Sequence, residues 1–217
     1  MARAQALIVF ARMPDNLTLS EASLPTLPTP LRARLLAMRS AAARNRSLVG
    51  YWLLAQGTEL IDVTQVDLSA LVTDTHGRPY IPGVPDFNIS HSGDLVACAI
   101  ARHCRVGMDV ERIRNVNTTK LRRFLGEDRP ESDSSPSDFF ADWAAREATV
   151  KASGKIGLAR IARVQLSGGL ARVDDETWRL HFPKLASDYA ACLATDVSDV
   201  KLQVQDLSES LTKYNAA

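Results

Sequence analysis

The sequence lacks the features that mark membrane, disulfide-bonded and zinc proteins. No apolar run approaches the about 18 residues that a membrane helix needs, and the short apolar run near the start is too brief for a secretory signal. Cysteines occur only at positions 98, 104 and 192, without CxxC spacing, so neither a disulfide framework nor a zinc site is indicated. These absences favour a cytoplasmic protein without membrane association.

Charge and aromatic content are too low for a nucleic-acid binder. The chain has 26 basic and 25 acidic residues, a net charge of +1, and 6% aromatic residues, whereas nucleic-acid-binding domains usually carry a basic face. A glycine loop of the Walker type is also missing, which argues against a P-loop nucleotide site. We therefore expect no nucleic-acid partner.

The composition that remains is that of a globular protein with a substantial core. The 217 residues are 46% apolar and 24% charged, which is enough for one large domain or two small ones. The order strand, helices, strands occurs once before residue 106 and again after it. This order predicts an α+β fold of two similar halves, residues 1–106 and 107–217, with a ligand cleft between them.

In the first half, the spacing of apolar residues predicts two buried strands and a helical region. Residues 5–11 and residues 95–101 are continuous apolar runs, which are typical of strands buried on both faces. Between residues 31 and 56 apolar residues recur at helical intervals, with an interruption at residues 44–47. Two helices are therefore expected there.

The second half is predicted to contain two helices and several strands. Helical patterns cover residues 117–125 and 139–153. We expect Ser137 or Asp138 to cap the second helix and Gly154 to end it. The tail shows little pattern, and strands are predicted at residues 106–111, 162–166, 178–182, 189–195 and 200–204.

Three acidic residues on predicted elements could hold a metal ion. Asp109 and Glu111 are two residues apart on a predicted strand, so both carboxylates lie on one face, and carboxylate oxygens are ligands that Mg²⁺ prefers. Glu147 lies on a predicted helix, four residues from both Trp143 and Lys151 on the same side. From these residues alone, a solvated strand face and an exposed ion pair of little energetic weight stay open.

A second group of charged residues is basic. The segment from residue 32 to residue 46 has no acidic residue and five arginines, namely Arg32, Arg34, Arg39, Arg44 and Arg46. Such a group needs either solvent or an anion as its partner, and both interpretations stay open. His91, within residues 88–93 (NISHSG), belongs either to a turn or to a phosphate site.

Four short motifs follow one another along the chain: residues 77–82 (GRPYIP), 87–92 (FNISHS), 107–111 (GMDVE) and 143–151 (WAAREATVK). In this order and at these separations they resemble the motifs of the Sfp-type 4′-phosphopantetheinyl transferase superfamily. Together with residues 46–50 (RSLVG), the resemblance spans about residues 30–160, most of the chain. It implies a pseudo-twofold α+β monomer with coenzyme A bound between the halves.

The resemblance also implies roles for particular residues. The positions that match the family's metal ligands are Asp109, Glu111 and Glu147, which would hold Mg²⁺ or, in its place, Mn²⁺. Lys151 matches the lysine that binds the pyrophosphate of coenzyme A, His91 matches a phosphate-contacting histidine, and Ser90 matches a coenzyme A-binding position. The positions near the adenosine 3′-phosphate are Arg46, Ser47, Arg78 and either Arg34 or Arg32.

The implied reaction is attack by a serine hydroxyl of an apo acyl carrier or peptidyl carrier protein on the β-phosphorus of coenzyme A, with release of adenosine 3′,5′-bisphosphate. A serine hydroxyl is a weak nucleophile at neutral pH, so a base is needed near it. Glu147, or a water that it orients, is the candidate. Mg²⁺ and Lys151 would offset the charge that develops on phosphoryl and leaving-group oxygens.

Three features of the chain depart from the family pattern. Arg146 stands where the family usually has lysine, residues 154–157 form a segment one residue longer than usual, and the stretch from residue 124 to residue 139 is shorter and more polar. Two other classes of protein stay open. One is a non-catalytic module of the same fold that binds coenzyme A or a carrier, and the other is a Mg²⁺-dependent nucleotide hydrolase.

Overall fold

The computed structural model describes residues 3–15, 17, 27–61, 66–126, 135–155 and 157–216. The helices are α1 (Thr29–Leu36), α2 (Ala41–Leu60), α3 (Thr119–Phe124), α4 (Pro136–Ala152), α5 (Leu158–Arg163) and α6 (Ser208–Ala216). The strands are β1 (Ala4–Arg12), β2 (Val72–Thr73), β3 (Pro79–Tyr80), β4 (Asp86–Ser92), β5 (Leu95–Arg102), β6 (Val106–Arg112), β7 (Gln165–Ser167), β8 (Leu170–Val173), β9 (Glu176–His181), β10 (Tyr189–Thr195) and β11 (Val200–Asp206). The predicted α+β class is confirmed.

The strands form two large sheets and one small hairpin. The first sheet has the order β11-β1-β5-β4, the second has the order β6-β10-β9-β8-β7, and β2 pairs with β3. Strand β1 runs parallel to β11 and antiparallel to β5. The predicted boundary at residue 106 falls where β6 begins, while β11 returns from the second half to the first sheet. The two-part division and its pseudo-twofold axis stay predictions.

Three apolar clusters stack the elements as helices, sheet, sheet and helix. Helices α1 and α2 cover one face of the first sheet, where Leu53 packs near Val9 in one cluster. The other face of that sheet packs on the second sheet through residues such as Ile8 and Met108. Helix α4 covers the far face of the second sheet, which includes Cys192. No described helix is both long enough and apolar enough to span a bilayer.

Strands β1, β5 and β10 have continuous apolar stretches because each lies between two of these clusters. In β10, for example, Leu193 points into the cluster between the sheets and Cys192 points toward α4. A strand buried on both faces shows no alternation of polar and apolar residues. The strands predicted at residues 5–11, 95–101 and 189–195 are confirmed.

The break between the first two helices lies at residues 37–40, so its prediction at residues 44–47 was wrong. Ser40 caps α2 by accepting a hydrogen bond from the N–H of Ala43 at 3.2 Å, as N-cap serines do. The polar residues 44–47 lie inside α2 and are half-buried. Polar residues alone do not end a helix, and arginine is a good helix former. The polarity of residues 44–47 therefore reflects the surface that this part of α2 presents.

Helix α4 begins earlier than predicted, with Ser135 as its cap and neither Ser137 nor Asp138. The Ser135 hydroxyl accepts from the N–H of Asp138 at 3.2 Å, and Asp138 accepts from the N–H of Ser135 at 3.0 Å. This reciprocal pair is a capping box, with Pro136 in the first turn. The pattern was read from its apolar residues, which start at Phe139, one turn after the cap.

Three predictions about the second half also need correction. The strand predicted at residues 162–166 is helix α5 as far as Arg163 and then the short strand β7. Strand β8 was not predicted, and the tail that showed little pattern contains α6. Leu211 of α6 is fully buried in the cluster below α2, so the docking of a few side chains stabilises this helix.

Candidate active site

Strands β4 and β6 meet at the site through side chains, whereas the strands within each sheet pair through their backbones. Four side chains, two residues apart on β4, accept hydrogen bonds from backbone N–H groups on β6. The pairs are Asp86 with Val106 at 2.8 Å, Asn88 with Met108 at 2.9 Å, Ser90 with Val110 at 3.3 Å and Ser92 with Arg112 at 3.1 Å. Because β6 is the edge strand of its sheet, this polar ladder satisfies donors that an edge leaves open.

Two serines of the polar ladder also hold the carboxylates of β6. Ser90 Oγ donates to Asp109 Oδ1 and Ser92 Oγ donates to Glu111 Oε2, both at 2.9 Å. Asp109 and Glu111 share the face of β6 that is turned toward α4, as their spacing predicted. Ser92 was missing from the predicted site, although the alternation of polar and apolar residues in 87–92 was a signal for it.

Helix α4 lies very close to β6 at Gly107. A methyl group on Gly107 would lie 2.0 Å from the carbonyl oxygen of Ala148 and 2.3 Å from the backbone nitrogen of Ala152. Only glycine permits this approach of two backbones. It brings the turn of α4 that carries Glu147 and Lys151 next to the carboxylates of β6.

Lys151 lies among acidic and hydroxyl groups. Its Nζ is 2.5 Å from Asp109 Oδ1, 3.1 Å from Ser90 Oγ and 3.6 Å from Glu147 Oε2. On the same side of α4, Trp143 Nε1 donates to Glu147 Oε1 at 2.9 Å. The structure thus joins the three predicted helix residues to Asp109. Because the Lys151 side chain is only 24% exposed, Glu147 and Lys151 do not form the exposed ion pair that was the alternative interpretation.

Burial and charge shift the pKa values in this cluster. Burial raises the pKa of Asp109 to about 7, against the effect of Lys151 and with a further increase from Glu147. Burial likewise raises the pKa of Glu111, while the hydrogen bond from Ser92 lowers it. Burial lowers the pKa of Lys151, but the charges of Asp109 and Glu147 outweigh it, so this pKa is raised. The ammonium balances part of the negative charge of the carboxylates.

One oxygen of Asp109 is buried and has no hydrogen-bond partner among the described residues. This atom is Oδ2, whereas Oδ1 accepts from Ser90 and Lys151. A buried carboxylate oxygen without a partner is costly, unless a cation or water contacts it. Within the described ranges no group of three or more His, Cys, Asp or Glu side chains is arranged as a metal site as it stands. The Lys151 ammonium lies between Asp109 and Glu147.

Arg34, another predicted site residue, lines a cavity. The cavity has a volume of about 510 Å³ and lies between α1, α2 and the hairpin of β2 and β3, with Tyr51, Thr73, Gly77 and Pro79 among its lining residues. Burial raises the pKa of Tyr51, and Arg34, which hydrogen-bonds to the phenol, opposes this shift. An arginine at the wall of a cavity can receive an anion.

Arg46, Ser47 and His91 form a further group of predicted site residues, on α2 and β4. Arg46 and Ser47 are half-buried on α2, and the Ser47 hydroxyl donates to the carbonyl of Ala43 at 3.2 Å. Burial, then the charge of Arg46 and that of Lys151, lower the pKa of His91. His91 is therefore within electrostatic range of both the arginine side and the carboxylate side.

Two of the arginines singled out by the sequence are turned into the protein. The Arg78 side chain is 10% exposed and binds Asp86 at 2.8 Å. Arg146, which stands in place of the usual lysine, is buried and donates to the carbonyl of Val164, so it faces away from the carboxylates. The other two departures from the family pattern lie partly outside the described residues, at residues 127–134 and 156.

Comparison with known proteins identifies the family. No family model matches the chain. The 4′-phosphopantetheinyl transferase gsp of Aneurinibacillus migulanus is 30% identical over 182 residues, which cover 75% of this chain and 76% of the relative. The chain belongs to the Sfp-type 4′-phosphopantetheinyl transferases. The family predicted from the four motifs is confirmed, and with it the prediction that this transferase is an enzyme.

Other transferases of the family match over shorter stretches. The transferase psf-1 of Bacillus pumilus is 32% identical over 132 residues, covering 54% of this chain and 56% of the relative. Sfp of Bacillus subtilis (strain 168) is 32% identical over 91 residues, covering 38% of this chain and 40% of the relative.

Proposed function

We propose that this transferase moves the 4′-phosphopantetheine arm of coenzyme A onto a serine of an apo acyl carrier or peptidyl carrier protein and releases adenosine 3′,5′-bisphosphate. The observation that carries the proposal is the convergence of Asp109, Glu111, Glu147 and Lys151, in a protein that also has a cavity lined by Arg34. Carboxylates and a lysine suit a metal-bound pyrophosphate, and arginines suit a terminal phosphate.

The carboxylate cluster fits Mg²⁺, with Mn²⁺ as the alternative ion. Its donors are oxygens, and the buried Asp109 Oδ2 has no hydrogen-bond partner in the described part of the chain. Asp109, Glu111 and Glu147 would hold the ion, and Lys151 would have to leave Asp109, since an ammonium group and a dication repel each other. When bound, the ion would polarise the pyrophosphate and stabilise the leaving group.

Lys151 and Glu147 would carry out the chemical step. Lys151, once released from Asp109, contacts a pyrophosphate oxygen and offsets the charge that develops there as the P–O bond breaks. Glu147, or a water that it orients, accepts the proton of the carrier serine as the hydroxyl oxygen attacks phosphorus. Trp143 holds one oxygen of Glu147 by a hydrogen bond, which orients the carboxylate.

The rest of coenzyme A would extend toward the arginine side. Arg34, Arg46 and Ser47 would contact the adenosine 3′-phosphate, and Ser90 and His91 would contact phosphate nearer to Lys151. The lowered pKa of His91 favours its neutral form, in which one ring N–H still donates to a phosphate oxygen. A cytoplasmic monomer with the ligand in a cleft between two halves completes the proposal.

The test is to incubate the protein with Mg²⁺, coenzyme A and a panel of apo carrier proteins and to weigh each carrier by mass spectrometry. We expect a gain of one phosphopantetheine on at least one carrier, and none after chelation of the metal or with Asp109→Ala. Release of adenosine 3′,5′-bisphosphate without a carrier would indicate a hydrolase, and binding of coenzyme A without transfer would indicate a non-catalytic module. Either result contradicts the proposal.

A further inference from the structure

Arg78 holds together three elements that build the site. One of its terminal nitrogens donates to the carbonyl oxygen of Lys151 at the end of α4. The other lies 2.8 Å from both oxygens of Asp86, 3.2 Å from the carbonyl oxygen of Phe87 and 2.7 Å from that of Val106. Arg78 therefore links the C-terminal end of α4 to β4 and to the start of β6.

The segment that carries Arg78 is itself well fixed. Asp74 accepts hydrogen bonds from the N–H groups of His76 at 2.8 Å and of Arg78 at 2.9 Å, and its own N–H donates to the carbonyl of Arg78 at 2.9 Å. Gly77 has a φ of 84°, which glycine adopts without strain. The turn therefore presents the Arg78 side chain from a fixed position.

The position at the end of α4 suits a cation. The last carbonyls of a helix lack partners within the helix, and the helix dipole favours positive charge there. The carbonyl of Lys151 also accepts from the N–H of Gly154 at 3.2 Å. Arg105 donates to the next carbonyl, that of Ala152, at 2.8 Å. Two arginines thus fix the end of the helix that carries Lys151.

The guanidinium of Arg78 has few contacts to spare for a ligand. Its two terminal nitrogens already reach a carboxylate and three carbonyl oxygens, and the side chain is 10% exposed. A guanidinium that turned to a phosphate would leave those acceptors without a donor, which is costly for each buried group. Arg34, in contrast, lies at the wall of an open cavity.

On these grounds we propose that Arg78 is a positioning residue, which holds the end of α4 against β4 and β6 so that Lys151 lies at the carboxylate cluster, and that it does not bind the 3′-phosphate of coenzyme A. This inference rests on the proposed transferase reaction for its kinetic part only. The resemblance to the family implied a phosphate contact for this position, so the two roles predict different kinetics.

The kinetic experiment compares coenzyme A with 3′-dephospho-coenzyme A as donors for the wild type, Arg78→Lys and Arg34→Gln. Lysine keeps the charge, but its donors sit on one atom and lack the planar fork by which the guanidinium bridges the Lys151 carbonyl and the Asp86 carboxylate. We expect Arg78→Lys to lower kcat at least tenfold with both donors and to leave the preference for coenzyme A within twofold of wild type. Arg34→Gln should reduce the preference for coenzyme A over 3′-dephospho-coenzyme A roughly tenfold, as expected when a charge-assisted hydrogen bond to the 3′-phosphate is lost. A similar reduction by Arg78→Lys with an unchanged kcat would overturn the inference.

A second variant tests the link through Asp86, which is not among the residues proposed to contact coenzyme A or the metal ion. Asp86→Asn keeps an oxygen for the N–H of Val106 and loses the charge that holds Arg78. We expect it to lower kcat as Arg78→Lys does, and the double variant to lose little more than either single variant, because coupled residues are not additive. Additive losses would contradict the proposed link.

Amide hydrogen exchange gives a readout that does not depend on activity. The N–H groups of Ser153 and Gly154 bond to carbonyls in the last turn of α4, so Arg78→Lys should speed their exchange at least tenfold, while amides in the middle of α2 keep their rates. Unchanged exchange at these two amides would overturn the positioning role. If the wild type modifies no carrier, the proposed function fails, and the exchange rates still decide the role of Arg78.

Discussion

The carboxylate side and the arginine side of the site are built differently. On the carboxylate side, Asp109, Glu111 and Glu147 each receive a hydrogen bond from another side chain. On the arginine side, Arg34 lines an open cavity and Ser47 bonds only within its own helix turn among the contacts described. A group bonded within the protein is held in place before any ligand arrives. The first side is preorganised, whereas on the second side the Tyr51 phenol is a partner of Arg34 beside an open cavity.

The largest effect should come from Gly107→Ala. The added methyl group would clash with the backbone of α4 at Ala148 and Ala152, and backbone cannot give way as a side chain can. We expect the free energy of unfolding in urea to fall by roughly 3 kcal/mol, at the upper end for overpacking, and transfer to be lost.

The matched control for Gly107→Ala lies on the arginine side. A methyl group on Gly50 would meet the Ile89 side chain at 2.7 Å, and alanine is a better helix former than glycine by about 1 kcal/mol. Gly50→Ala should therefore change stability by less than about 1 kcal/mol. If both variants lost the same free energy of unfolding, the two sides of the site would not differ in how tightly they are packed.

The next largest effect is the pH dependence of stability and of Mg²⁺ affinity, which we expect to arise from the carboxylate side. The pKa of Asp109 is raised from 3.8 to about 7, so between these values the folded protein holds a proton that the unfolded chain has lost. The free energy of unfolding of the metal-free protein should therefore fall as pH rises through this window. Mg²⁺ needs the carboxylate, so its affinity should weaken below pH 7, by up to about tenfold per pH unit.

Calorimetric titration of Mg²⁺ and urea unfolding at several pH values measure this dependence. Asp109→Asn should flatten the dependence of stability on pH between about pH 4 and pH 7. The exposed residue Asp199, which pairs with Arg3 at 2.9 Å, provides the control Asp199→Asn, which should keep the slope of the wild type. A slope that survives in Asp109→Asn would assign the titration to another group.

A smaller effect is expected from Ser92→Ala. The variant removes a donor to Glu111 and an acceptor for the N–H of Arg112, so it should cost about 1 kcal/mol of stability and weaken Mn²⁺ binding, which electron paramagnetic resonance measures. Ser47→Ala, on the arginine side, should leave Mn²⁺ binding unchanged and raise KM for coenzyme A. Weaker Mn²⁺ binding in both variants would contradict the comparison.

The smallest effect on stability should come from Arg34→Gln. Its contacts lie at a cavity wall and not in a core, so we expect the free energy of unfolding to change by less than about 0.5 kcal/mol. The affinity for coenzyme A, measured by calorimetry, should nevertheless fall. A large loss of stability would show that the arginine side is also held by internal contacts.

Local pattern was enough to predict most strands and the face of β6 that carries the two carboxylates, because these depend on residues close in sequence. The alternation at residues 106–111 placed Asp109 and Glu111 together, and helical spacing aligned Glu147 with Lys151. The break between α1 and α2 was misplaced because a run of polar residues inside a helix looks like a loop when the sequence is the only guide.

Other features depend on contacts between distant parts of the chain. The motif around Arg78 suggested a phosphate contact, because the carbonyl groups of Lys151 and Val106 that surround its guanidinium lie far away in sequence. Ser92 can bond to Glu111 and to the backbone of Arg112 only because β6 lies beside β4. The sequence of either strand alone does not show that the two strands meet through side chains. The helix α6 has little pattern of its own and depends on the pocket that receives Leu211. Sequence spacing carries no information on such contacts.

The parallel pairing of β1 with β11 sets an order for folding. Ala4 lies opposite Val200, so the partner of β1 on this side is synthesised after nearly everything else in the described chain. Until then β1 has an open edge of apolar sequence, which is prone to pair with other chains. The first sheet therefore cannot be completed while the chain is still short, and slow translation of the second half would prolong the exposure of β1 to aggregation.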